Sequence, residues 1–184
     1  MTSNALIDGR LAKAQWVPSP NYDERPGACS PELLVIHNIS LPPGCFGGND
    51  IAALFCNRLD LSADPFYAEL DGLRVSSHLL IDRQGALTQF VSLERRAWHA
   101  GLSQWCGRVN CNDYSIGIEL EGTDTLPYTL AQYHCLARTI RTLREAMPSL
   151  RQAAIVGHSD IAPGRKTDPG PAFDWALLRG ALRE

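Results

Sequence analysis

The amino-acid sequence predicts a single α/β domain with a central mixed β-sheet flanked by helices, and three features carry that expectation. A chain of 184 residues has the length of one domain and is long enough to bury a sizeable core. Its 45% hydrophobic and 20% charged residues, with 15 Gly and 12 Pro, are ordinary globular usage and argue against disorder or a fibrous repeat. Short apolar or alternating runs of strand length flank one long segment of helical period, a mixture that calls for helices packed on a sheet.

In chain order, residues 1–31 carry Pro18, Pro20, Pro26, Gly27 and Pro31 among polar residues and read as an irregular arm packed on the core of residues 32–184. Leu33 to His37 is a continuous apolar run ending on a histidine, the pattern of a strand covered on both faces. Leu41 to Asp50 holds too many breakers for regular structure and reads as a loop over a site. A short helix is expected from Asn49 or Asp50, with Ile51, Leu54 and Phe55 inward. Val75 to Ile81 and Ala86 to Val91, joined by Asp82-Arg83-Gln84-Gly85, predict a hairpin. Tyr114 to Glu121 alternates as a strand, with Ile116, Ile118 and Leu120 on one face and Gly117, Glu119 and Glu121 on the other. The strongest helix signal runs from Leu130 to Met147: Thr129 and Gln132 make a capping box, apolar residues recur from Tyr133 to Leu143, and Pro148 stops it. Ala153 to His158 is a further strand ending on histidine, before a Pro- and Gly-rich segment and a short helix capped by Asp174.

The formal net charge of −3 leaves no basic excess to neutralise phosphates, so nucleic acid is excluded as an expected partner. No apolar run approaches the roughly 18 residues of a membrane span, and the first ten residues have neither the basic nor the apolar region of a secretory signal. Six cysteines without a Cys-x-x-Cys pair suit free thiols, and a cytoplasmic monomer is expected.

Two strands that end in histidine, His37 and His158, place reactive groups where a rigid scaffold meets its loops. A catalytic zinc needs three ligands and an open position, and Asp168, on a Pro- and Gly-restricted loop ten residues after His158, is the third candidate. By spacing alone this set competes with two ordinary packed histidines. His134 falls on the polar helix face, while His78 suits either core or cleft. Trp98 beside His99 suits a sugar-binding cleft and equally well plain packing. Glu119 within a strand reads either as a solvated outer-face carboxylate or as one that positions or deprotonates water. Lys166 reads as a solvated lysine or as a cation aimed at charge developing on a carbonyl oxygen.

Taken together, His37-Asn38, Ser76-Ser77-His78, Arg96 to Gly101, Asn112 to Asp124 and Gly157 to Pro171 resemble, in order, the zinc N-acetylmuramoyl-L-alanine amidases of the peptidoglycan-recognition-protein and phage-lysozyme-like fold. The likeness spans about Val17 to Trp175 and is greatest to the cytoplasmic branch that acts on 1,6-anhydro-N-acetylmuramoyl peptides in cell-wall recycling. The resemblance implies that His37, His158 and Asp168 bind Zn²⁺, that Glu119 is tied to the attacking water, and that Lys166 stabilises the oxyanion. It implies an anhydro-muropeptide substrate held in a cleft shaped by Asn38 and Trp98, with Arg74, and less directly Arg108, meeting the peptide's carboxylates. Two rivals share the fold: a recognition domain that binds without cutting, which would lack a ligand, and a periplasmic amidase acting on intact murein, which would carry a leader.

Overall fold

Six segments pair into the central sheet of this computed structural model, which describes residues 5–27 and 29–183: β1 (Gln15–Trp16), β2 (Leu33–Ile39), β3 (Leu79–Ile81), β4 (Leu87–Gln89), β5 (Ser115–Glu121) and β6 (Ala154–Gly157). Their spatial order is β6-β2-β5-β3-β4-β1. Only β3 and β4 pair antiparallel, through the expected hairpin, so the sheet is mixed. At its turn the Asp82 carboxylate accepts from the backbone N–H of Gln84 and Ala86, and Gly85 takes a positive φ that a residue with a Cβ adopts only under strain.

The alternation within β2 and β5 sorts their side chains onto two faces. Leu34, Ile36, Ile116, Ile118 and Leu120 pack with helix α2 (Leu130–Ala146), whose buried stripe includes Leu136, Ile140 and Leu143. Each fully buried side chain of this kind contributes about 1.5–3 kcal/mol. The capping box holds as the sequence expects, with Thr129 accepting from Gln132 N. Helix α1 (Asp50–Phe55) buries Ile51, Leu54 and Phe55, and the last helix (Trp175–Ala181) is capped by Asp174, which accepts from Ala176 N and Leu177 N. The opposite sheet face carries Leu33 and Val35 with Val156 in a smaller apolar cluster, and above it His37.

Several boundaries differ from the sequence reading, each for a local reason. β2 continues through Ile39, because the parallel ladder to β5 runs on to the pair Glu121 and Ile39. β6 ends at Gly157, and His158 opens a one-turn helix, α3 (His158–Ile161), because the Asp160 carboxylate turns back to accept from Gly157 N. Val75 to His78 is not strand: the Ser76 N–H bonds to Trp98 O and not to a neighbouring strand. Within residues 5–27, short strands form at Leu6–Ile7 and Arg10–Leu11, which pair with each other, and at Tyr22–Asp23, which pairs with Arg96–Ala97, while Gln15–Trp16 joins the central sheet as β1. Arg25 pins this segment to the core: its buried guanidinium donates to the carbonyls of Asp113 and Ser115 at 2.9 Å, and burial lowers its pKa to about 10. All six cysteines are free, Cys106 and Cys111 included. No described helix is long and apolar enough to cross a membrane.

Candidate metal centre

The parallel register sets Glu119 of β5 directly beside His37 of β2, so both side chains leave the same sheet face next to each other. β6 lies on the other side of β2, and its abrupt end brings His158 alongside. Asp168 reaches the same point because its backbone carbonyl accepts from Ser159 N at 3.0 Å, tying the long loop back to the start of α3. Three atoms then converge. His37 Nδ1 is 3.0 Å from His158 Nδ1 and 3.0 Å from Asp168 Oδ2, and His158 Nδ1 is 3.1 Å from that same oxygen.

Donor accounting around these groups decides what they can hold. Ser115 Oγ gives its proton to Cys111 O at 2.6 Å, so it accepts from His99 Nε2 at 3.0 Å. His99 Nδ1 is therefore a lone pair and accepts from His37 Nε2 at 2.9 Å. His158 Nε2 donates to Ala100 O at 3.1 Å, since a carbonyl can only accept. Both inward Nδ1 atoms are thus lone pairs facing a carboxylate oxygen, three acceptors with no proton among them. Such a cluster is repulsive without a cation, and two imidazoles with one carboxylate are the donor set of a catalytic zinc site. The protonation state of His37 agrees: burial lowers its pKa to about 4, which keeps the ring neutral near pH 7. Neutral imidazoles and an ionised carboxylate are the forms a divalent metal requires.

Glu119 is 8% exposed, which settles the choice between an outer-face and an inward carboxylate. Burial, and secondarily the charge of Asp168, raises its pKa well above the ordinary range, while Lys166 pulls the other way. Its Oε2 is buried without a hydrogen-bond partner and faces the cleft. That cleft has a volume of about 400 Å³, and Glu119, Lys166, Trp98 and Asn38 line it together with His37, His158 and Asp168. Lys166 is exposed at its mouth. Trp98 is oriented by an indole N–H donated to Asp23 at 2.6 Å. Asn38 gives its amide protons to Asp124 and to Pro169 O, so it also ties the Asp168 loop to β2.

Two arginines stand apart. Arg74 lines an adjoining groove of about 180 Å³ that shares Leu54, Leu70 and Leu73 with the cleft. Arg108 stacks 3.9 Å over the Tyr114 ring and bonds Glu32, and it lines no part of the cleft. His134 is exposed on α2 as expected. His78 is fully buried, accepting from Gly117 N and donating to Arg95 O, a structural role. His99 lines the cleft and at the same time bonds His37 through its Nδ1. Ser115 escaped the sequence reading, although Ser115, Gly117 and Glu119 share one face of an alternating strand.

Three converging donor atoms that could hold a cation, with an unpaired carboxyl beside them and an open cleft in front, are the arrangement of the class of metal-dependent hydrolases. Residues 27–171 match the family model for N-acetylmuramoyl-L-alanine amidase, and the chain belongs to that family. It is 59% identical to the 1,6-anhydro-N-acetylmuramyl-L-alanine amidase AmpD of Escherichia coli K12 over 174 residues, 95% of this chain and 94% of the relative. The crystal structure of a selenomethionine derivative of AmpD superposes with a TM-score of 0.93 at 55% identity, covering 96% of this chain and 98% of that one. AmpDh3 from Pseudomonas aeruginosa, solved in complex with anhydromuramic pentapeptide, superposes with a TM-score of 0.59 at 29% identity over 86% of this chain and 62% of that one.

Proposed function

We propose that this protein is a zinc amidase that cleaves the bond between the lactyl group of 1,6-anhydro-N-acetylmuramic acid and the L-alanine of its stem peptide, in peptidoglycan recycling. The observation that carries the reading is the convergence of three proton-free donor atoms of His37, His158 and Asp168 beside the buried carboxyl of Glu119. The substrate class is supported by the AmpD relatives and by the anhydromuramic pentapeptide that the Pseudomonas enzyme holds.

Bound there, Zn²⁺ supplies Lewis acidity that polarises the scissile carbonyl and eases deprotonation of water. The chain's own groups do the rest. Glu119, with a raised pKa and a free Oε2, takes the proton of the attacking water and returns it to the L-alanine nitrogen as the amide bond breaks. Lys166 directs its ammonium from the cleft mouth at the negative charge growing on the carbonyl oxygen. Trp98 and Asn38 wall the cleft on the sugar and loop sides, and Arg74, in the groove that continues from it, meets a carboxylate of the stem peptide. The chain's six free thiols suit the reducing cytoplasm.

The test is incubation of the purified protein, with and without a chelator, on anhydro-muropeptide and on intact murein sacculi, reading released peptide by mass spectrometry. Chelator-sensitive release from anhydro-muropeptide is expected. Efficient digestion of sacculi with little action on the anhydro compound would reassign the substrate, and cleavage indifferent to chelation would remove the metal from the reaction.

A further inference from the structure

A chain of hydrogen bonds reaches His37 from the buried interior through His99, whose ring also lines the cleft. It runs from Cys111 O through Ser115 Oγ at 2.6 Å, His99 Nε2 at 3.0 Å and His99 Nδ1 to His37 Nε2 at 2.9 Å. Ser115 and Cys111 are fully buried and His99 is 9% exposed, so water cannot substitute for a missing link at little cost. Polarity runs one way along the chain. Its terminus is a carbonyl, which can only accept, so each hydroxyl or ring N–H upstream has one direction in which to donate.

The strand is shaped to admit the ring. At Gly117, between Ser115 and Glu119 on the same face, an added Cβ would lie 2.5 Å from His99 Cγ and 2.6 Å from His99 Nδ1. The same glycine's N–H donates to His78 Nδ1, and the His78 and His99 rings meet edge to face at 5.7 Å. A second imidazole therefore buttresses the first. Burial keeps both rings neutral, His99 well below its ordinary pKa and His78 down to about 3, so neither adds charge behind a prospective cation.

We propose that His99, oriented by Ser115, is a positioning residue that locks the His37 ring in the Nε2–H tautomer and turns its Nδ1 lone pair toward the metal position. The proposal rests on the reading of His37 as a metal ligand. A ligand imidazole free to flip or to protonate at Nδ1 presents its lone pair only part of the time, and that fraction lowers metal affinity directly. The arrangement uses a neutral imidazole where a carboxylate would add a negative charge.

Two measurements test it. In ¹⁵N-resolved imidazole NMR of the metal-free full chain, His37, His99 and His158 should each be protonated at Nε2. His99 protonated at Nδ1 would overturn the relay whatever the metal does. Zinc affinity, read by competition with a chromophoric chelator, should fall about 10–100-fold in His99→Leu, which removes the acceptor. It should recover most of that loss in His99→Asn, whose Oδ1 can stand where Nδ1 was. Ser115→Ala, a smaller change that leaves every ring in place, should lose about tenfold and shift part of the His37 population to the other tautomer. Equal losses in His99→Leu and His99→Asn, with thermal stability like the parent's, would show that bulk and not hydrogen bonding is what His99 contributes and would overturn the proposal. A parent that binds no zinc would instead refute the metal reading, with the tautomer spectrum still deciding the relay.

Discussion

Replacing Gly117 by alanine puts one methyl group where the strand has left room for an imidazole. The new Cβ would sit 2.5 Å, 2.6 Å and 2.8 Å from the Cγ, Nδ1 and Cδ2 of His99. Carbon atoms rest about 3.5–4.0 Å apart, so the ring must retreat by roughly 1 Å. Such a retreat cannot preserve both the 2.9 Å contact to His37 and the 3.0 Å contact to Ser115. Overpacking a filled core costs about 1–3 kcal/mol, which in a domain of this length lowers Tm by roughly 2–12 °C. Zinc affinity should fall about tenfold at the same time, because the His37 ring loses the partner that aims it. Differential scanning fluorimetry of the metal-free protein and chelator competition measure the two effects separately. Gly180→Ala is the control: it lies in the last helix with nothing within 4 Å of the added methyl, and should gain about 0.5–1 kcal/mol. If Gly117→Ala melts and binds zinc like the parent, the sheet face is not closed against His99 and the steric argument is wrong.

Further expectations concern the cleft itself. Glu119→Gln should keep zinc at parental stoichiometry while kcat falls about 10²–10⁴-fold, and loss of metal from this variant would make Glu119 part of the ligand set. Asp168→Ala should lose both zinc and activity, because it removes one of three protein donors, as elemental analysis and turnover will show. Lys166→Met should retain zinc and most of its KM, with kcat down roughly 10²–10³-fold; unchanged turnover would return Lys166 to the solvated surface. Removing the metal should destabilise the fold by mass action, since the three converging acceptors repel one another without it. With free zinc at 100 times its Kd the difference is about 2.7 kcal/mol, or roughly 5–11 °C in Tm, and equal melting points with and without chelator would contradict it.

Local signals carried much of the architecture by themselves. The α2 boundaries, its capping box, the Asp174 cap and the alternation of β5 follow from side-chain periods and backbone capping, which act over a few residues and are legible in a linear text. The trio His37, His158 and Asp168 was singled out through motif likeness and not through spacing: nothing local tells His37 to meet His158, 121 positions away. That meeting depends on the parallel order β6-β2-β5, and the Glu119 and His37 pair depends on a register that one residue of slip would undo. Arg74 and Arg108, whose chemistry suits a carboxylate equally, were separated only when the fold set one in the groove beside the cleft and the other over Tyr114. His99 shows the division most sharply. The sequence marked it as a polar neighbour of Trp98, but its place against His37 depends on a glycine 18 residues further on, whose missing side chain is the space its ring occupies. Local composition sets what each segment can form; tertiary packing, through contacts between residues far apart in the chain, sets which buried lone pairs end up pointing at one another.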